Sequence, residues 1–106
     1  GSAARLYRGA GRGNERGALE PGFQPQVRQA LNNLRVALSA VGAEMSDVAK
    51  VTVLIVDHSQ EKLHVLGAEF EVAFGGGLKP TCTLIPVPKL ALDGMLFEIE
   101  AIAALR

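Results

Sequence analysis

The apolar and polar positions of this chain fall into two rhythms. Val27, Leu31, Leu34, Leu38 and Val41 recur at steps of four and three residues. That spacing predicts a helix over residues 24–41 with one apolar stripe. Pro25 suits its first turn, where a missing N–H is no loss, and Gly42 suits its C-terminal stop. Leu63, Leu66, Phe70 and Phe74 repeat the pattern. They predict a second helix over residues 60–74, capped by Asp57 or Ser59 and ended by Gly75-Gly76-Gly77.

Between the helices, residues 48–56 (VAKVTVLIV) are nearly continuous in β-branched and apolar side chains. Such a run reads as a central strand covered on both faces. Residues 81–87 read as a further strand. Residues 95–103 alternate strictly, with Met95, Phe97, Ile99 and Ala101 on one side and Leu96, Glu98, Glu100 and Ile102 on the other. A period of two is a strand signature. Leu6 and Tyr7 suggest a short first strand, followed by a loop rich in glycine and charge over residues 9–22. The order is strand, helix, strand, helix, strand, strand. This predicts a single α+β domain over residues 1–106, with both helices on one face of a mixed sheet. Two helices leave the other face bare, so part of its cover is expected from another subunit.

Composition narrows the function classes. The chain has 106 residues, 48% of them hydrophobic, with no tryptophan. The core is therefore built mostly from small aliphatic side chains. Eleven basic and 11 acidic residues give a formal net charge of zero. No whole-protein field favours nucleic acid or membrane. No apolar run reaches membrane-spanning length. The single cysteine, Cys82, cannot form an internal disulfide, which fits a reducing cytoplasm.

Several chemistries can be weighed on the residues alone. Gly9-Ala10-Gly11-Arg12-Gly13 has the glycine spacing of a nucleotide loop but lacks the strong strand before it and the helix opening on it. Arg5, Arg8, Arg12 and Arg16 could clamp an anion or form a solvated basic loop. His58 and His64 lack metal-ligand spacing, and neither a metal nor a cofactor is expected. A nucleophilic role for Cys82 needs a base or cation beside it, and the sequence supplies neither. Glu98 and Glu100 share one face of a strand. That allows acid–base chemistry at a subunit cleft. The alternative is that one of them pairs with Lys50 or an arginine and holds an interface.

Three segments together resemble a known family. QPQVRQALNNLRVALSAVGAEMSDVAKVTVLIVD is similar to its helix–strand phrase QTRQALENL…DVVKVTVYL. LFEIEAIAAL is similar to its closing VEIEAIA. Gly75-Gly76 and Pro80-Thr81-Cys82-Thr83 resemble the loop and "P-A-R-[ST]" strand between them. The chain is thereby identified from residues 17–105 as a member of the RidA (YjgF) family, also described as endoribonuclease L-PSP.

The resemblance implies a chorismate mutase-like fold and a homotrimer whose sheets close round a barrel, with a small-molecule cleft between each pair of subunits. In active members these clefts hydrolyse enamines or imines to ketoacids and ammonia. An arginine clamps the substrate carboxylate, and a glutamate helps to place the attacking water. The glutamate maps to Glu98. The arginine maps to Cys82, with Thr83 beside it, so the chain resembles an arginine-less member. An asparagine and a tyrosine of the second helix map to Gly67 and Phe70, and an early "S-G-Q" maps to Ala10-Gly11-Arg12. The family's first strand is largely missing before Ala3.

An imine or enamine hydrolase, a non-catalytic binder of small carboxylates that uses the same cleft or regulates a partner enzyme, and a ribonuclease are the three functions this implies. Zero net charge and few aromatic rings argue against the ribonuclease, because single-stranded RNA is held by basic grooves and stacking rings.

Overall fold

The computed structural model describes residues 3–10 and 19–105. Its elements are β1 (Ala3–Ala10), α1 (Phe23–Ala40), a 3-10 turn (Met45–Asp47), β2 (Val48–Val56), α2 (Gln60–Phe74), β3 (Thr81–Val87) and β4 (Phe97–Leu105). The strands form one mixed sheet in the order β1-β4-β2-β3. β4 is antiparallel to both β1 and β2, whereas β2 and β3 are parallel. Parallel neighbours need a crossover, and α2 supplies it.

The helices begin and end where local chemistry dictates. At the start of α2, the Ser59 hydroxyl accepts a hydrogen bond from the Lys62 amide at 3.2 Å, so Ser59 rather than Asp57 is the cap. Gly42 stops α1 with a φ of 77°, a conformation that costs glycine little. Its neighbour Ala43 donates back to the Leu38 carbonyl at 2.8 Å. Val41, expected on the buried stripe, is the C-cap and is 54% exposed. The chain leaves the helix there, and the periodic position has no sheet beneath it. Ala30 joins Val27, Leu31, Leu34 and Leu38 in the core instead.

Both helices pack on one face of the sheet. Val51, Val53 and Ile55 of β2 and Phe97, Ile99, Ala101 and Ala103 of β4 meet the α1 stripe and Leu66 and Phe70 of α2. Burying each large aliphatic or aromatic side chain here contributes roughly 1.5–3 kcal/mol. β2 is central in strand order, but among the described residues only this face is covered. Lys50, Thr52, Leu54 and Val56 alternate onto the other face, where burial is incomplete or absent.

One polar side chain ties the layers together. Gln26 is 2% exposed. Its amide donates to the carbonyls of Glu20 at 2.9 Å and Gly94 at 2.8 Å, and its oxygen accepts from the Leu96 amide at 2.7 Å. It joins the start of α1 to the turn before β4. Gln26→Leu keeps the bulk but strands a buried N–H and removes the donor shared by two carbonyls. The expected loss is about 2–3 kcal/mol, read as a lower urea midpoint. A loss under about 0.5 kcal/mol would mean that water replaces the amide.

Candidate functional site

The ladder registers lay out both faces of the sheet. On the open face, Glu98 of β4 lies opposite Leu54 of β2, which lies beside Ile85 of β3. The next row holds Glu100, Thr52 and Thr83, with Arg8 of β1 as the backbone partner of Glu100 on its far side. Lys50 lies opposite Ile102, one row further on. Alternation thus puts both glutamates on the open face, as the sequence pattern requires. Glu98 is half-buried. Among the described residues it has no hydrogen-bond or ion-pair partner, so its charge is available to a water or ligand.

Cys82 lies in the row of Val51 and Ala101, which face the helices. It is nevertheless exposed, on the edge strand and one residue from the start of β3. The surrounding protein still excludes enough water to push its thiol pKa up. A raised pKa keeps the sulfur protonated at neutral pH, the opposite of an activated nucleophile.

Gly67 and Phe70 belong to the same helical side. Strand order and the contacts of α1 with β4 and β1 leave α2 over the β2–β3 side of the sheet. The helical period turns Gly67 to the flank of α2 away from Glu69, and hence away from α1. A side chain at Gly67 would meet nothing within 4 Å. Phe70 is buried and packs edge-on against Phe74, with ring centroids 5.2 Å apart.

The residues expected at a site therefore form two groups. Cys82, Gly67 and Phe70 are on the helical side, and Thr83 and Glu98 are on the open side. β3 runs between them as an unpaired edge of the described sheet, so a ligand could reach round it to both. Gly11 and Arg12 lie outside the described residues.

The sequence reading missed a polar cluster between the helices. Glu69 of α2 is buried, and Arg28 of α1 grips it through two hydrogen bonds of 3.0 and 3.1 Å. Gln24 adds a third at 3.1 Å. The Arg28 hydrogen bond is the main reason that the Glu69 carboxyl titrates below its usual range, against an opposing push from burial. The carboxylate therefore stabilises the fold at neutral pH and loses that contribution as pH falls through its folded pKa. A carboxylate set between Leu66 and Phe70 was the available signal. Lys62 makes a second link: its ammonium donates to the Val56 and Asp57 carbonyls, each at 2.8 Å, and lies over the Phe23 ring. Among the described residues no group of three or more His, Cys, Asp or Glu side chains could hold a metal ion.

Known proteins share this architecture. The family described as Endoribonuclease L-PSP matches residues 8–105. The RutC family protein PH0854 of Pyrococcus horikoshii is 40% identical over 82 residues, which are 76% of this chain and 61% of that protein. This chain therefore spans less than two thirds of that relative's length. The 2-iminobutanoate/2-iminopropanoate deaminase of Salmonella typhimurium is 30% identical over 92 residues, 85% of this chain and 70% of that protein. Among solved structures, the Rid family protein YyfB of Yersinia pestis superposes with a TM-score of 0.85 at 32% identity, covering 95% of this chain and 79% of that one. The match of nearly the whole chain and the shared helix-on-sheet fold lead to one assignment: the chain belongs to the RidA (YjgF), or endoribonuclease L-PSP, family.

Proposed function

We propose that this protein binds small metabolites in clefts between subunits and hydrolyses reactive imines and enamines there. Three copies close their open sheet faces round a central barrel, and each β3 edge forms part of a cleft with its neighbour. The observation that carries the reading is Glu98, a half-buried carboxylate without a partner among the described residues, set in a row with Leu54 and Ile85 on the open face of the sheet. An unpaired carboxylate in such surroundings is costly unless it has work to do. Its relationship to a named imine deaminase supports the reaction class.

In this reading Glu98 accepts a proton from water as the water oxygen attacks the imine carbon. The C=N π electrons move to nitrogen, which takes that proton back from Glu98 to give a carbinolamine. Transfer of the hydroxyl proton to nitrogen as the C–N bond breaks releases ammonia and leaves a carbonyl compound. Gly67 and Cys82 shape the pocket from the helical side, and Thr83 from the open side. A cytoplasmic location fits the single unpaired thiol; among the described residues no helix is long and apolar enough to cross a membrane.

A second reading, binding without turnover, is favoured by Cys82. It stands where the family's carboxylate-clamping arginine is expected. A guanidinium contact to a carboxylate contributes roughly 2–3 kcal/mol, or about thirty- to hundredfold. The test is ammonia release from freshly generated 2-iminopropanoate. Wild type is expected to exceed the buffer rate, and Cys82→Arg to raise kcat/KM by about thirty- to hundredfold. If neither protein exceeds the buffer rate, the binding reading replaces the enzymatic one.

A further inference from the structure

The turn that leads into β4 joins an aspartate directly to a glycine, Asp93-Gly94. The Asp93 side chain is 97% exposed, and its ion pair with Lys89 at 3.4 Å lies in water and holds it weakly. Gly94 carries no side chain to screen its amide nitrogen, and that N–H makes no hydrogen bond among the described residues. A Cβ built on Gly94 would meet nothing within 4 Å, so the space beside the peptide is open. A carboxyl carbon and an unshielded nitrogen therefore stand at the spacing that closes a five-membered ring.

The other aspartates lack this combination. The Asp47 carboxylate accepts from the Glu44 amide at 2.8 Å, and the amide that follows it, of Val48, donates to the Met45 carbonyl. Asp57 is followed by His58, whose side chain crowds the approach to its nitrogen. Asn32 and Asn33 lie within α1, where the amides that follow them belong to the helix ladder.

We infer that Asp93-Gly94 is a modification site, at which the aspartate converts spontaneously to isoaspartate. The Gly94 nitrogen attacks the side-chain carboxyl carbon of protonated Asp93. The new C–N bond forms, the C–OH bond breaks, and the hydroxyl leaves with the amide proton as water. The product is a cyclic imide. Water then adds to one of its two carbonyls and opens the ring. Addition at the side-chain carbonyl restores aspartate. Addition at the main-chain carbonyl breaks the original peptide bond and leaves the chain running through the former side chain, one methylene longer.

The fold controls how often this happens. Met95 donates to the Leu92 carbonyl across the turn at 3.1 Å, and Gln26 holds the Gly94 carbonyl at 2.8 Å. Ring closure rotates the Asp93-Gly94 peptide and strains both bonds, so the reaction reports local opening of the turn. Once formed, the longer link displaces Gly94 from Gln26 and loosens the entry to β4, the strand that carries Glu98. The site is separate from the β3 edge and does not depend on the reaction proposed there.

Wild type, Asp93→Glu and Gln26→Leu are aged side by side in neutral buffer at body temperature. The free α-carboxylate of isoaspartate is counted with an isoaspartate-specific methyltransferase and a labelled methyl donor, and located by peptide mapping. Wild type is expected to accumulate methyl-accepting sites at Asp93. Asp93→Glu is an exposed change whose ring would need six members, and it should lose the signal. Gln26→Leu frees the Gly94 carbonyl and should gain the sites about two- to tenfold faster. Absence of isoaspartate from aged wild type, its persistence in Asp93→Glu, or equal amounts at Asp47 or Asp57 would overturn the assignment. An equal rate in Gln26→Leu would overturn the control by Gln26.

Discussion

Replacing Phe97 by alanine is expected to cost about 3–5 kcal/mol of stability. The ring is fully buried and opens β4, which pairs with both β1 and β2. It meets Phe23 of α1 edge-on, with centroids 6.0 Å apart. Truncation removes apolar contact and leaves a cavity between helix and sheet that neither backbone can close without moving a ladder. A domain of this size has a total stability of only about 5–15 kcal/mol, so the variant should be largely unfolded at modest urea. Denaturation at one fixed protein concentration measures the difference and keeps any subunit association constant. A loss below about 1 kcal/mol would show that Phe97 is not the keystone between α1 and β4.

Most of this architecture was legible in the chain. β2, α2 and β3 have the bounds that the pattern predicts, because each is framed by strong local signals: the β-branched run, Ser59, and the glycines after Phe74. β4 begins two residues later than alternation alone suggests. Gly94 turns with a φ of 82°, and the Gln26 side chain takes the Leu96 amide, so the ladder proper starts at Phe97. β1 looked weak because Gly9 and the charges at Arg5 and Arg8 interrupt its pattern. It forms an eight-residue strand because β4 offers a paired edge along that whole length. The apolar run over β2 reads as cover on both faces: the helices of the same chain supply one cover, and the other is the one expected from another subunit.

The candidate site was less legible, for geometric reasons. Period two placed Glu98 and Glu100 on one face, since both belong to one strand. Whether Cys82 shares that face depends on two registers, β3 with β2 and β2 with β4, and no local pattern carries such information. The registers put Cys82 behind the sheet relative to Glu98. Glu69 was overlooked for a related reason. A stripe counted by apolar residues passes over a carboxylate at its margin, and the partners that make it tolerable, Gln24 and Arg28, come from the other helix.

Glu98→Gln carries the largest expected effect on function: a fall in kcat/KM for imine hydrolysis of about 10²–10⁴-fold, measured in both wild-type and Cys82→Arg backgrounds. Glutamine keeps the size of glutamate and can still hydrogen-bond water, but it cannot take the proton that makes water a nucleophile. The substitution should be mild for the fold. Glu98 lies beside Leu54 and has no partner among the described residues, so removing its charge breaks no ion pair and relieves a desolvation cost. Light scattering should therefore give the same mass for wild type and variant, about three times the 11.2 kDa chain. Unchanged activity would mean that another group activates the water. A smaller assembly from Glu98→Gln would give the carboxylate a different role, pairing across the subunit interface. Its lack of a partner among the described residues would then be explained by assembly rather than by chemistry.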